Sequence, residues 1–276
     1  MHCGASLRLA TPSFMTACLL ITACRPSHAP TLSIEAIYIP QDTTTLAGIR
    51  VEEIRKTPLY QKYASNQLLP NLDQFIKESG FDPRTDLNEL LIAHNGKAAL
   101  LIARGKFDKL RLPEKSPVKI INQNLALAGP EPLLTAALAQ AKAKNPIPAR
   151  LKALLDFIPG DAQLWAVSGA LPRWSPNDRS NLVNLDKILD SVDSLSIWAT
   201  LPSGLHLAAD ANAVDEAGAK RLQTQLKGII GLGRLSTPDN QPQRLRFFDA
   251  IQTKLEGRSL HLTADITMDM IDAFAR

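Results

Sequence analysis

The stretch DLNELLIAHNGKAALLIARGKFD, Asp86 to Asp108, decides the fold class. Its two apolar runs flank Asn95-Gly96, a dipeptide that readily adopts the positive φ angles of a type I′ turn. Apolar runs of this length joined by a short turn predict an antiparallel β-hairpin, and Lys97 to Arg104 has the pattern of a strand buried on both faces or nearly so. The chain is therefore expected to contain an antiparallel sheet.

The elements around this hairpin extend the pattern through the first half of the chain. Ser33 to Ile39 alternates as a strand does, and Leu59 to Ser79 has helical apolar spacing that Pro70 interrupts. Val118 to Ala128 predicts a second hairpin, and Leu133 to Ala143 an Ala-rich helix. The predicted order is strand, helix, hairpin, hairpin, helix.

The second half repeats this order and adds a helix between its two hairpins, where the first half has only Lys109 to Lys115. The predicted elements are a strand at Asp161–Ser168, a helix at Leu182–Val192, two strands across Asp193–Ala213, a long helix at Asp215–Leu235, a hairpin at Ile251–Ile266 and a closing helix at Met268–Phe274. The repetition indicates an internal duplication, with a Pro-rich junction from Ala143 to Asp161. We predict an α+β fold of two tandem ferredoxin-like (split βαβ) units, residues 33–145 and 160–276, with antiparallel sheets that helices cover on one face.

The segment FMTACLLITACRPSHAP, Phe14 to Pro30, reads as a targeting signal rather than a folded element. Its apolar run is shorter than the roughly 20 residues that a membrane-spanning helix needs, and it has the length of a secretory h-region. Ile-Thr-Ala-Cys resembles the lipobox of bacterial lipoproteins. That resemblance implies a signal peptide at 1–23, a diacylglyceryl group on Cys24 and a tether at 24–32. Two alternatives remain: a plain signal peptide cut near Ala29, and an apolar terminus on a cytosolic protein.

The residues around Cys24 also bear on location. Arg25 follows the cysteine where an aspartate would signal retention at the inner membrane, so we expect a lipid-anchored protein of the outer membrane that faces the periplasm. The chain has three cysteines, at positions 3, 18 and 24. The mature body would have none, which excludes disulfides, thiol nucleophiles and Cys-based metal sites there.

Composition excludes some classes of partner. A hydrophobic content of 45% supports a folded core. The formal charge of +4 becomes +3 once Arg8 leaves with the signal, and no basic run interleaves with aromatics, so we expect no nucleic-acid partner. Aromatic residues make up 5% of the chain, which disfavours a sugar site built on stacked rings.

A candidate binding face lies on the predicted strands of the second half. His206 and His261 each stand between two leucines, so they point away from the helix-covered face. Trp198, Asp210 and Asp265 are expected on the same face. In ferredoxin-like order one strand separates the two histidines, which disfavours joint metal ligation, and we expect neither a metal nor a cofactor. The glycines of Gly228-Ile-Ile-Gly-Leu-Gly233 lie late in a helix, where a packing role fits better than a nucleotide-binding one.

The phrases GFDPRTDL (Gly80–Leu87), ARGKFD (Ala103–Asp108) and AGAKRLQTQLKGIIGLGRL (Ala217–Leu235) resemble a family of uncharacterised bacterial lipoproteins. The resemblance implies the envelope location but no activity. The sequence contains no G-x-S-x-G, H-E-x-x-H, S-x-x-K or P-loop motif. We therefore expect a non-catalytic binding module for an envelope protein or peptide. The alternatives are an envelope hydrolase that uses the candidate face, or a lipid or acyl carrier with an apolar groove between sheet and helices.

Overall fold

The computed structural model describes residues 32, 34–65, 70–113, 115–171 and 191–275. The predicted signal peptide, Cys24, nearly all of the tether and most of the predicted helix Leu182–Val192 lie outside these residues. Within them the chain is α+β.

Ten strands form one antiparallel sheet. In chain order they are β1 (Thr45–Ile49), β2 (Leu87–His94), β3 (Ala99–Gly105), β4 (Val118–Asn122), β5 (Leu125–Ala128), β6 (Leu164–Ser168), β7 (Val192–Thr200), β8 (Gly204–Ala213), β9 (Ile251–Glu256) and β10 (Ser259–Thr267). Across the sheet the order is β4-β5-β3-β2-β1-β6-β7-β8-β10-β9.

The described residues also form one 3-10 helix, Ile34–Tyr38, and nine α-helices. The α-helices are α1 (Val51–Arg55), α2 (Pro58–Tyr63), α3 (Pro70–Ser79), α4 (Pro83–Asp86), α5 (Glu131–Ala143), α6 (Ala149–Leu155), α7 (Glu216–Leu235), α8 (Pro242–Asp249) and α9 (Met268–Ala275).

The predicted hairpins are all present. Gly96 has a φ of 88° and Gly257 a φ of 58°, the left-handed conformation that glycine adopts readily. Asn95 is not left-handed, so the first hairpin does not turn through the type I′ conformation that Asn95-Gly96 favours. The long helix also begins as predicted, because the Asp215 side chain accepts a hydrogen bond from the backbone N–H of Gly218 at 2.5 Å.

One local prediction was wrong, and one element was not predicted. Ile34–Tyr38 is a 3-10 helix rather than a strand, and the first strand is instead Thr45–Ile49. The proline-rich junction contains helix α6, whose Leu151, Leu154 and Leu155 are buried. Three leucines on one side of a short helix give it enough apolar surface to join the core.

The tandem ferredoxin-like arrangement is not confirmed, because the two halves share one sheet. Strands β1 and β6 pair antiparallel at its centre, with Gly48 opposite Trp165. Each half contributes five strands. Counted from the centre of the sheet outward, both halves place their strands in the order first, second, third, fifth and fourth along the chain. The central pairing joins strands more than 100 residues apart in the chain, so no local sequence pattern predicts it.

Helices cover the two faces of the sheet differently. The largest core lies where the 3-10 helix, α5 and α6 pack on one face of the first half, around Leu100, Ile102 and Leu127. On the other face, α7 packs Leu222 against Ala211 and Leu260 in the second half. The prediction that helices cover a single face was wrong for both halves. In the second half α7 lies on one face, while α6 packs on the other against Trp165 and Val167 of β6. In the first half α5 and α6 lie on one face, and Phe75 of α3 lines a cleft with Leu90 and Leu101 on the other.

Among the described residues, none of the helices is both long enough and apolar enough to cross a membrane.

Candidate functional site

The five residues predicted to share a face do so. Strand pairing places Thr200 opposite His206, Asp210 opposite His261, and His206 opposite Asp265. Trp198 lies on the same face of the neighbouring strand β7. Because side chains alternate along a strand, Ala211 and Leu260 point the other way, against α7. We call the surface of Trp198, His206, Asp210, His261 and Asp265 the polar face.

The two histidines of the polar face form separate cross-strand pairs. Nδ1 of His261 lies 2.6 Å from Oδ1 of Asp210, and His206 Nδ1 contacts Asp265 in the same way. Their strands β8 and β10 are adjacent, so the expectation that one strand separates them was wrong. The register nevertheless keeps the rings apart, because His206 lies four positions along β8 from Asp210, the partner of His261. No group of three metal-ligating side chains occurs among the described residues.

The polar face borders a cleft of about 580 Å³. Phe157, which is 68% exposed, and Leu154 line it at the end of α6, and Trp198 lines it from the sheet. On the far side Glu256 Oε2 lies 3.7 Å from Nε2 of His261. A hydrogen bond from Lys254 lowers the pKa of the Glu256 carboxyl below its ordinary value. This cleft offers hydrogen-bonding groups, but within the described part of the chain no hydroxyl group hydrogen-bonds to either imidazole.

A second cleft, of about 460 Å³, lies on the opposite face of the sheet in the first half. Its walls are mostly apolar, and the largest side chains among them are Phe75, Phe81, Leu90, Leu101, Phe107 and Leu110. We call it the apolar cleft. Small-molecule sites have volumes of about 300–1,000 Å³ and predominantly apolar walls, so this cleft has the size and lining of a ligand site.

The floor of the apolar cleft is fixed by two stacked rings. The centroids of Phe81 and Phe107 are 5.3 Å apart with an angle of 18° between the planes, and both rings are buried. Ala103 and Ala126 of the sheet lie beside them. Small side chains there leave the space that larger ones would fill.

The outer wall of the apolar cleft is the connection from Lys106 to Pro117. Its backbone is held to the end of α3, where the N–H of Arg111 donates to the carbonyl of Ser79 at 2.7 Å. Gly80 makes this close approach feasible, since its φ is 71° and a Cβ would lie 2.9 Å from the carbonyl oxygen of Lys109. The wall and the sheet are therefore held apart at a fixed distance.

A short helix, α4, joins this region to strand β2. Asp82 caps α4 by accepting a 2.9 Å hydrogen bond from the N–H of Arg84. The Arg84 guanidinium pairs with the Asp82 carboxylate at 3.1 Å and with Asp73 at 3.4 Å. Burial raises the pKa of Asp82, but the hydrogen bonds from Arg84 outweigh burial and hold that pKa below its ordinary 3.8. The aspartates of GFDPRTDL thus have a structural use.

Few polar groups line the apolar cleft. Glu78 lies at its rim and accepts a hydrogen bond from Gln74 at 2.8 Å. Arg111 lies there too, is exposed, and forms no ion pair with any residue in the ranges that the structure describes. Small-molecule sites commonly combine a predominantly apolar lining with a few polar or charged groups.

Sequence reasoning did not find the apolar cleft, because its residues come from four separate segments. The one available signal was the repeated Phe-Asp pair, Phe81-Asp82 and Phe107-Asp108, at the two ends of the central hairpin. A large apolar residue just outside each strand indicates a contact across the hairpin base.

Comparisons with known proteins add little. No family model matches the chain, and no curated protein matches it. Among solved structures, crystal form I of TP0453 is similar with a TM-score of 0.47 and 9% sequence identity, over 87% of this chain and 96% of that one.

Proposed function

We propose that this chain is a lipid-anchored, non-catalytic binding module of the bacterial envelope, and that it binds an acyl chain in the apolar cleft. The observation that carries the proposal is a solvent-open cleft of about 460 Å³ with almost wholly apolar walls. Apolar surface of this kind is stabilised by transfer from water to an apolar ligand.

The expected affinity follows from the burial of methylene groups. Each buried methylene contributes about 0.8 kcal/mol, so a chain of about 14 methylenes supplies about 11 kcal/mol. Association costs at least about 4 kcal/mol in lost freedom. The balance is at most about 7 kcal/mol, which corresponds to a dissociation constant of about 10 μM or weaker. That affinity suits a carrier, which must release its ligand.

The anchor is the second part of the proposal. A lipidated Cys24, with a second acyl signal on its amino group, would hold the module stably at the outer membrane, since one acyl chain alone binds only marginally. The periplasm-facing module would then work beside a membrane, which is a source of acyl chains. An envelope protein or peptide that delivers or receives the chain is the partner class that we propose.

Intact-mass measurement tests the anchor. Protein purified from its own membranes is expected to begin at a triacylated Cys24, and a Cys24→Ala variant is expected to stay unprocessed. A soluble mature chain that starts near Pro30 would show plain secretion instead, and an uncleaved chain would refute the targeting argument.

Analysis of bound lipid tests the cleft. Native mass spectrometry of the protein, taken gently from membranes, is expected to show adducts with the masses of acyl compounds. An Ala103→Phe variant, which puts a ring into the apolar cleft, is expected to lose these adducts while its thermal unfolding stays cooperative. Adducts that persist in Ala103→Phe would place the ligand elsewhere.

The envelope hydrolase is a second candidate, which the His261–Asp210 pair favours. A carboxylate on Nδ1 orients an imidazole as a general base. Against it stands the lack of a hydroxyl nucleophile within hydrogen-bond distance of either ring among the described residues. Ester hydrolysis that is lost in both His261→Gln and Asp210→Asn would support this candidate over the binding module.

We also propose that the two halves arose by duplication of a five-stranded unit. The support is the identical strand order in each half and the antiparallel pairing of the two first strands, β1 and β6. Superposition of β1–β5 on β6–β10 is expected to align each strand with its counterpart. A superposition that matches fewer than three strands would refute the duplication.

A further inference from the structure

We propose that the occupant of the apolar cleft is a long-chain fatty acid and that Arg111 binds its carboxylate. This inference rests on the proposed function, because it names the ligand class of the same cleft. It depends on three observations: the volume of the cleft, the charge of its outer wall, and a guanidinium at its rim that pairs with no acidic side chain among the described residues.

The volume fits one chain. A methylene group fills about as much space as a water molecule, whose share of liquid volume is about 30 Å³. A cleft of about 460 Å³ therefore holds about 15 such groups. A lipid with two acyl chains would leave one chain in water, so the cleft favours a single-chain amphiphile.

The charge of the outer wall favours an anion. The connection between β3 and β4 carries Lys106, Lys109, Arg111 and Lys115 against Asp108 and Glu114, a surplus of two positive charges. Lys106, Lys109, Arg111 and Lys115 are all exposed. A cationic head group would be repelled there, and a neutral one would gain nothing.

Arg111 is the basic side chain that lines the apolar cleft itself. A guanidinium presents paired N–H donors whose geometry matches the two oxygens of a carboxylate. No acidic side chain in the described ranges is paired with it, so a ligand would displace no ion pair with those residues. Glu78 is the acidic residue on the same rim, and its side chain accepts a hydrogen bond from Gln74. Its negative charge would repel a ligand carboxylate that lay near Glu78 instead of Arg111.

Calorimetric titration with two matched ligands tests the inference. Laurate and dodecanol have the same chain and differ in the head group. Laurate is expected to bind about fivefold to tenfold more tightly than dodecanol, the gain that one charge-assisted contact at an exposed rim supplies. An Arg111→Gln variant is expected to lose that gain for laurate and to bind dodecanol as the native protein does.

Two further variants serve as controls. Lys119→Gln removes a charge from the opposite side of strand β4 and is expected to change neither affinity. Arg111→Lys keeps the charge but lacks the planar pair of donors, so it is expected to restore only part of the preference for laurate.

The outcomes separate this inference from the proposed function. If both ligands bind equally and Arg111→Gln changes nothing, the carboxylate site is refuted while the acyl-binding function stands. If neither ligand binds to the native protein, the proposed function itself fails. If Lys119→Gln weakens laurate as much as Arg111→Gln does, the preference is a general effect of charge and the specific role of Arg111 is refuted.

Discussion

The pairing of β1 with β6, which we call the seam, joins the two halves and allows a direct test that they share one sheet. Gly48 of β1 lies opposite Trp165 of β6, and a Cβ on Gly48 would lie 2.2 Å from Cε2 of the indole. Trp165 is 4% exposed, so the ring has little room to move. Overpacking of a core costs about 1–3 kcal/mol. We expect Gly48→Ala to destabilise the protein by about 2 kcal/mol, which lowers Tm by about 4–8 °C in a chain of this size.

Urea unfolding of a double-mutant cycle isolates this clash. Trp165→Leu removes the indole. The indole Nε1 has no hydrogen-bond partner among the described residues, so this substitution breaks no hydrogen bond with them. In the Trp165→Leu background, Gly48→Ala is expected to cost less than about 0.5 kcal/mol, because contacting residues are not additive. Gly228→Ala is the control, since a Cβ there meets nothing within 4 Å. Equal costs of Gly48→Ala in both backgrounds would refute the seam.

Three more predictions concern the supports of the fold and of the apolar cleft. Asp215→Ala removes the cap of α7 and is expected to cost about 1 kcal/mol in urea unfolding, whereas Asp215→Asn is expected to cost almost nothing. Phe107→Ala is expected to cost about 3 kcal/mol, because it removes a buried ring and its stack with Phe81; a loss below about 1 kcal/mol would contradict the packing described. Burial raises the pKa of Asp82, but the hydrogen bonds from Arg84 outweigh burial and hold that pKa below its ordinary value of 3.8. A lowered folded-state pKa gives stability that is present above the unfolded pKa and is lost as pH falls through the folded pKa. The stability advantage of the native protein over Asp82→Asn is therefore expected to be constant near neutral pH, to begin to fall near about pH 4, and to be lost as pH drops through the folded-state pKa of Asp82. An advantage that grows in acid would refute the pairing with Arg84.

Local chemistry explains which elements could be predicted. The hairpin of Asp86–Asp108 and the turn at Gly257 depend on a few adjacent residues whose backbone preferences are strong. Helix α7 likewise carries its own cap at Asp215. Such elements can be predicted from the sequence without knowledge of any tertiary contact, because adjacent residues determine them.

The elements that escaped prediction depend on distant partners. Strand β1, Thr45–Ile49, is five residues long and gains its place by pairing with β2 and β6 on its two sides. The segment Ile34–Tyr38 has strand-like apolar content, yet it forms a 3-10 helix whose Glu35 lies 3.0 Å from the guanidinium of Arg104. Neither the pairing of β1 nor the contact between Glu35 and Arg104 can be predicted from a local sequence pattern, because each involves residues far apart in the chain.

The candidate surfaces divide in the same way. Alternation along β8 and β10 was enough to place His206 and His261 on one face, but the pairing of each ring with an aspartate depends on strand register. The apolar cleft needed the approach of α3 and the connection after β3 to the sheet, brought together by the stack of Phe81 on Phe107. A binding site built from four segments becomes visible once the fold is known.

The measurement that tests the central claim most directly is the titration of laurate into the native protein and into Ala103→Phe. Ala103 lies in the wall of the apolar cleft, and a phenyl ring there occupies the space of the ligand. The native protein is expected to bind one laurate with a dissociation constant of some tens of micromolar, and the variant is expected to bind it at least about tenfold more weakly while its thermal unfolding stays cooperative. Equal binding by both proteins would show that the apolar cleft is not the site, and absence of binding by the native protein would contradict the proposed function.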